Sequence, residues 1–232
     1  MAAIPSLRVS ALRYREQYPN LIGAWGFDEG SGSTTADSSA HGLTLTLDAG
    51  VTWATGHSGG TALENAGSGA AGGAHVARNI TDSTMTIMGW ARPLDLTAGS
   101  TRPLFGFWDV ANTSGSTWVA IWAQRGNFST PNVLQGNVRA GGNLNAVNSS
   151  SALTVNVWTH LALSYDGTTM RLYQDGTQVA STSQPGAAFT GSAFINILPD
   201  PANAQVDDVR FFGTALTQAE IQAFMQQPVA VP

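Results

Sequence analysis

Apolar and polar residues alternate with a period of two along much of the chain, the pattern of strands resting one face on a core. In residues 21–27 the alternation sets Trp25 and Phe27 on one face, with Ala24 and Gly26 opposite. Residues 85–91 place Met85, Ile87 and Ala91 together. A meander follows at residues 158–165, 169–174 and 177–183, with turns at Asp166-Gly167 and Asp175-Gly176. Asp-Gly between alternating runs is a strong hairpin signal, because the tight turn needs positive φ. A two-residue turn at Asp175-Gly176 sets Gln174 opposite Thr177, Tyr173 opposite Gln178 and Leu172 opposite Val179. Residues 104–108, 117–124 and 133–139 read as strands with unreadable pairing. In the last strand, 206–212, Val209 and Phe211 face inward. Thr217 and Glu220 form a capping box, with Leu216 and Ile221 at the staple positions, so a helix runs to about residue 227 and stops before Pro228. It is expected to lie as a lid on an open sandwich edge.

Composition narrows the class. The chain has 232 residues, 26 of them glycine, and is 43% apolar. Only 11% of residues are charged, against about 25% in an average protein. No apolar run reaches the ~18 residues of a transmembrane helix, so no membrane insertion is expected. The net charge of −5 without a basic stripe argues against a nucleic-acid partner. There is no cysteine, which excludes disulfides and thiolate sites, and no lysine, which excludes Schiff bases. Arg8, Arg13, Arg15 and Glu16 interrupt any apolar stretch near the start, so no signal peptide is read there. One composition regime gives one domain, residues 21–227, between an arm at 1–20 and a tail at 228–232. Leu7, Val9, Leu12 and Tyr14 make the arm either a loose tail or a segment that docks on a partner, building a homo-oligomer or larger assembly.

Four blocks in order carry a resemblance. Residues 24–32, Ala-Trp-Gly-Phe-Asp-Glu-Gly-Ser-Gly, are followed by Ala36-Asp37-Ser38-Ser39. Residues 85–91 read Met-Thr-Ile-Met-Gly-Trp-Ala. The meander carries Trp158-Thr159-His160-Leu161-Ala162 with Tyr165-Asp166-Gly167 and Leu172-Tyr173-Gln174-Asp175-Gly176. The ending carries Val206-Asp207-Asp208-Val209-Arg210-Phe211-Phe212 with Leu216-Thr217 and Glu220-Ile221. Together they resemble laminin-G-like jelly-roll domains of the concanavalin A-like lectin/glucanase superfamily. The resemblance implies an all-β fold, a two-sheet antiparallel jelly-roll sandwich with a short C-terminal helix, whose first and last strands pair. It does not imply an activity, since the fold serves lectins, glycosidases and adhesive modules.

The candidate chemistry is sparse. Glycosidases need two carboxylates across the scissile bond, and the four glutamates are Glu16 in the arm, Glu220 in the helix cap, and Glu29 and Glu64 at strand ends or turns. The Glu-x-Asp-x-x-Glu motif of the superfamily's glucanases is missing. His41, His57, His75 and His160 show no short metal spacing, and no nucleophile elbow is present. The chain is therefore expected to be no enzyme. If the first and last strands pair, Asp28 approaches Asp207 and Asp208. The superfamily often holds structural calcium at this edge, so the resemblance points to Ca2+ on Asp207, with Asp28 and Asp37 as lesser candidates and Gly59 or Gly60 lending a carbonyl. Parity opposes this: Asp28 alternates with Trp25 and Phe27, whereas Asp207 shares the parity of inward Val209, so one strand end must bend. The competing reading is that these aspartates only cap turns.

Residues 117–123 are apolar on both faces, with Trp118, Ala120 and Trp122 on one of them. Two tryptophans about 13 Å apart suit stacking on an extended glycan, with Arg125 and Arg139 adding hydrogen bonds; otherwise the strand is buried on both faces. Trp108 has the same ambiguity. Two functions compete: a lectin-like binding module for a glycan or cell-surface ligand, and a structural or adhesive component of an assembly such as a phage-like particle. Either places the chain outside a cell or on a virion surface. A glycoside hydrolase is the third reading.

Overall fold

A computed structural model describes residues 18–39, 41–67, 72–97, 100–109, 111, 117–124 and 133–230. In chain order the strands are β1 (Leu21–Trp25), β2 (Thr34–Thr35), β3 (Leu45–Leu47), β4 (Val51–Thr55), β5 (Thr61–Asn65), β6 (Ala74–Ile80), β7 (Met85–Pro93) and β8 (Arg102–Trp108). They continue as β9 (Thr117–Gln124), β10 (Val133–Ala140), β11 (Asn143–Ala152), β12 (Thr159–Tyr165), β13 (Thr169–Gln174), β14 (Thr177–Ser183), β15 (Gly191–Ile197) and β16 (Ala204–Phe212). One helix, α1 (Gln218–Met225), follows.

The strands form two eight-stranded antiparallel sheets. The back sheet runs β14-β13-β12-β7-β16-β5-β4, with β1 also on β16; the front sheet runs β11-β10-β9-β8-β15-β6-β3-β2. This is the expected jelly-roll sandwich. Between the sheets lie Trp25, Phe27, Ile87, Phe105, Phe107, Leu163, Ile195, Val209 and Phe211. The wager on the first and last strands holds: Trp25 is the β-partner of Val209, and its ring meets Phe211 edge-on at 5.8 Å.

Strand β16 has three neighbours, and this arrangement builds the site. Ala204, Gln205 and Val206 pair with β5, whereas Val209 to Phe212 pair with β1. On that side Asp207 and Asp208 fall in the handover and pair with neither strand. On the other side, β7, the register runs Asp207↔Trp90 and then Arg210↔Met88, so that Asp208 and Val209 of β16 stand against Gly89 alone of β7. That is a β-bulge, and Asp208 sits in it at φ +50°. Gly89 faces the bulge, where a Cβ would lie 2.8 Å from Val209 Cγ2.

The capping box forms as expected, and the helix ends two residues short of the expected stop. Its position differs from the expectation. Ile221 and Phe224 pack with Ala24, Met88, Ala162, Tyr173 and Phe212, so α1 covers the outer face of the back sheet rather than an edge. The β13–β14 turn keeps Gln174 opposite Thr177, but a bulge sets Leu172 opposite Ala180 instead of Val179. The chain ends of the fold also reach further than expected. Tyr18 meets Phe224 with ring centroids 4.9 Å apart and planes tilted by 60°, and Val229 is buried with its N–H donated to Asp208 Oδ1. Residues 1–17, which hold most of the expected arm, lie outside the described residues. None of the described helices is long and apolar enough to cross a membrane.

Candidate functional site

The handover on β16 opens a recess of about 200 Å³ lined by Asp28, Ser58, Gly59, Gly60, Asp207, Asp208 and Pro228. Asp28 arrives because β1 is followed by Phe27 at φ +54°, which turns the chain beside β5. Its Oδ1 accepts the Thr61 N–H at 3.0 Å. The bend that parity demanded is thus present twice, at Phe27 and at Asp208. Through the bulge, Val206 and Val209 both reach the core while Asp207 leaves it. Asp207 Oδ2 accepts the His57 N–H at 2.8 Å, and Oδ1 accepts the Asp208 N–H at 2.9 Å.

No lysine or arginine lines this recess. Burial, reinforced by the charges of Asp208 and Asp28, pushes the Asp207 carboxyl up to about 7. Burial raises Asp208 as well, opposed by Arg210. At Gly60, φ is +69° and a Cβ would lie 2.1 Å from Asp28 Oδ1, so the backbone must approach that carboxylate bare. The donors are hard oxygens, which suits Ca2+ better than a softer ion. Among the described residues no three His, Asp or Glu side chains stand close enough to form a metal centre by themselves; backbone carbonyls and water would have to complete a shell. Asp37 is elsewhere. Its Oδ1 accepts the Ala24 and Ser39 N–H groups, and its Oδ2 accepts Ser39 Oγ and the Leu43 N–H. It caps the loop after β1. Ser58 and Pro228 were not singled out in the sequence, although the Gly-His-Ser-Gly-Gly run at 56–60 was the available signal.

The tryptophans of the front sheet divide. Trp108 and Trp122 are 0% and 3% exposed and pack together with Ala120, their ring centroids 6.1 Å apart. Neither offers a ring to solvent, so the alternative of a strand buried on both faces holds there. Trp118 is half-buried; Phe189 stacks on it at 3.5 Å, and the Arg139 guanidinium lies over its ring at 5.1 Å. Arg125 lies outside the described residues.

The acids of the described residues are mostly occupied locally. Glu29 accepts from Thr35 Oγ1 and the Ala36 N–H. Glu220 accepts from Thr217 N–H and Oγ1. Glu64 lies one residue from the end of β5 and accepts from Gln205 Nε2. Glu16 lies outside the described residues.

Comparison with known proteins agrees with this architecture. The model of the Laminin_G_3 family, of the concanavalin A-like lectin/glucanases superfamily, matches residues 65–222. No curated protein matches. Among solved structures, the binding domain of Paraclostridial Mosquitocidal Protein 1 superposes with a TM-score of 0.67 at 16% identity, over 88% of this chain and 51% of that one. This chain therefore spans about half of that binding domain. Domain 4 of AbnA, a GH43 extracellular arabinanase from Geobacillus stearothermophilus solved with arabinotriose, gives 0.66 at 20% identity, over 89% and 98%. Trypanosoma rangeli sialidase in complex with sialic acid gives 0.64 at 15% identity, over 97% and 34%. At these identities the likenesses speak for the fold alone. The family match covers about two thirds of the residues and takes in β6 to β16; the chain belongs to the Laminin_G_3 family of the concanavalin A-like lectin/glucanase superfamily.

Proposed function

We propose that the chain is a non-catalytic, lectin-like module that binds a glycan or a glycan-bearing cell-surface ligand, with Ca2+ held in the acidic recess as a structural ion. The observation that carries the reading is how the carboxylates are used. Glu29, Asp37 and Glu220 are spent on local hydrogen bonds. The recess at Asp28, Asp207 and Asp208 gathers acids against backbone rather than opposing two of them across a cleft, as glycoside hydrolysis requires. The superposing structures support the ligand class: a toxin's binding domain, an arabinanase domain holding arabinotriose and a sialidase holding sialic acid. Asp207, Asp28 and Asp208 would hold the ion with Gly59 or Gly60 carbonyls. Bound there, it would neutralise buried charge and tie the loop at 56–60 to the end of β1.

The test is a binding panel of arabinotriose, sialic acid and ganglioside-bearing liposomes, run in CaCl2 and in EDTA beside thermal melts. Binding to at least one member is expected, without hydrolysis. Calcium at about a hundredfold excess over its Kd should add about 2.7 kcal/mol of stability. No binding to any member would overturn the ligand reading, and identical melts in CaCl2 and EDTA would remove the ion.

A further inference from the structure

The outer face of the back sheet is only half used by α1. The helix covers Met88 on β7 and Ala162 on β12. Two residues further along β7, on the same face, stands Trp90, paired with His160 and with Asp207. His57, from the loop between β4 and β5, stacks on Trp90 with centroids 3.5 Å apart and planes 14° apart. Trp158, just before β12, meets His57 at 76° and 6.0 Å. His160 sits beneath, buried, at 74° to Trp90. His57, Trp90 and Trp158 are each half-buried. The result is a corner, two stacked rings with a third standing across them, that keeps part of every ring accessible.

A polar row runs beside it. Thr52, Glu64, Gln205 and Arg92 are successive cross-strand partners on β4, β5, β16 and β7. Their neighbours Leu63, Ala91, Ala204 and Val206 point into the core, so the row faces out. Gln205 donates to Glu64 and accepts from Arg92 Nη1 at 3.2 Å; Arg92 Nε donates to the Asn156 carbonyl at 3.1 Å. The row is fixed in place, yet Arg92 Nη2 and Glu64 Oε1 bond to no other described residue. Arg92 and Trp90 are two residues apart on one face, about 7 Å, within reach of one sugar residue.

The loop that presents Trp158 adds a third observation. Val155 and Val157, 39% and 47% exposed, are the exposed large hydrophobics of the described residues, and both shortly precede Trp158 in the chain. Asn156 between them is held at φ +62°, its N–H on the Pro93 carbonyl and its own carbonyl under Arg92. The two valines extend the apolar surface of the aromatic corner, which the polar row borders.

Resting on the reading of the chain as a glycan-binding module, we infer that the His57–Trp90–Trp158 corner with the Arg92–Gln205–Glu64 row is its carbohydrate site. An aromatic face takes the C–H side of a sugar ring. A carboxylate and a guanidinium, held in place by the amide of buried Gln205 between them, match hydroxyls without demanding a net charge from the ligand. This site lies on the opposite sheet from Trp118 and Arg139. Four variants, Trp158→Ala, Trp158→Phe, Arg92→Ala and Trp118→Ala, are titrated against the panel member that the wild type binds, each after a melt confirms folding. Trp158→Ala should weaken binding at least tenfold and Arg92→Ala several-fold. Trp158→Phe should stay within about threefold, and Trp118→Ala should match the wild type. Should Trp158→Ala fail to fold, Arg92→Ala and Trp158→Phe carry the test. Unchanged binding in Arg92→Ala and Trp158→Ala, with loss in Trp118→Ala, would move the site to the front sheet and overturn this assignment while leaving the glycan reading intact. A wild type that binds no panel member would overturn both.

Discussion

On the front sheet, Trp108 and Trp122 close against each other, and the indole N–H of Trp108 finds no acceptor among the described residues. On the back sheet, Trp90 and Trp158 keep part of their rings open, beside a fixed row of amide, guanidinium and carboxylate. Both groups stand on outer faces of the same sandwich, so a sheet's outer face alone does not make a platform. What separates them is the company of each ring. An indole surrounded by apolar atoms adds to packing, whereas an indole next to anchored donors and acceptors has something to orient a ligand with.

The contrast is sharpest in stability. Trp108→Ala empties a closed site and should cost about 3–5 kcal/mol in a denaturant titration. Trp158→Ala removes a half-exposed ring and should cost much less. Equal losses would erase the distinction between the two groups.

How far the sequence reached follows the same physics. Strands with clean alternation around a core, such as residues 21–27 and 85–91, were legible, as was the capping box at Thr217 and Glu220. Strand β11, Asn143–Ala152, was not, because a polar edge strand shows no apolar period. Asp28 and Asp207 could be brought together only through the pairing that the family resemblance implied. Their convergence depends on a bulge and two residues at positive φ, neither of which alternation records. The corner at His57 joins a loop, the middle of β7 and the start of β12. Nothing in their spacing along the chain foretells that contact. The tail assigned to residues 228–232 contains Val229, whose amide closes the recess on Asp208.

A smaller effect probes the ground beneath the corner. Burial, reinforced by the charges of Arg210 and His57, lowers His160 to about 3. Its imidazole is held neutral in the fold, while in the unfolded chain it protonates near the ordinary histidine value of 6.5. The unfolded state therefore binds more protons below that value. The stability His160 contributes is complete above about pH 6.5 and is lost as pH falls toward 3. His160→Gln should flatten the stability–pH curve across this window, measured by urea titrations at several pH values. A curve unchanged in slope would mean that the imidazole is not held neutral.

The most direct measurement is an NMR titration that follows the indole N–H signals of the seven tryptophans as the bound panel sugar is added. The account predicts that Trp158 and Trp90 move together while Trp108 and Trp122 stay still. Shifts confined to Trp118 and its front-sheet neighbours, with Trp158 silent, would contradict it.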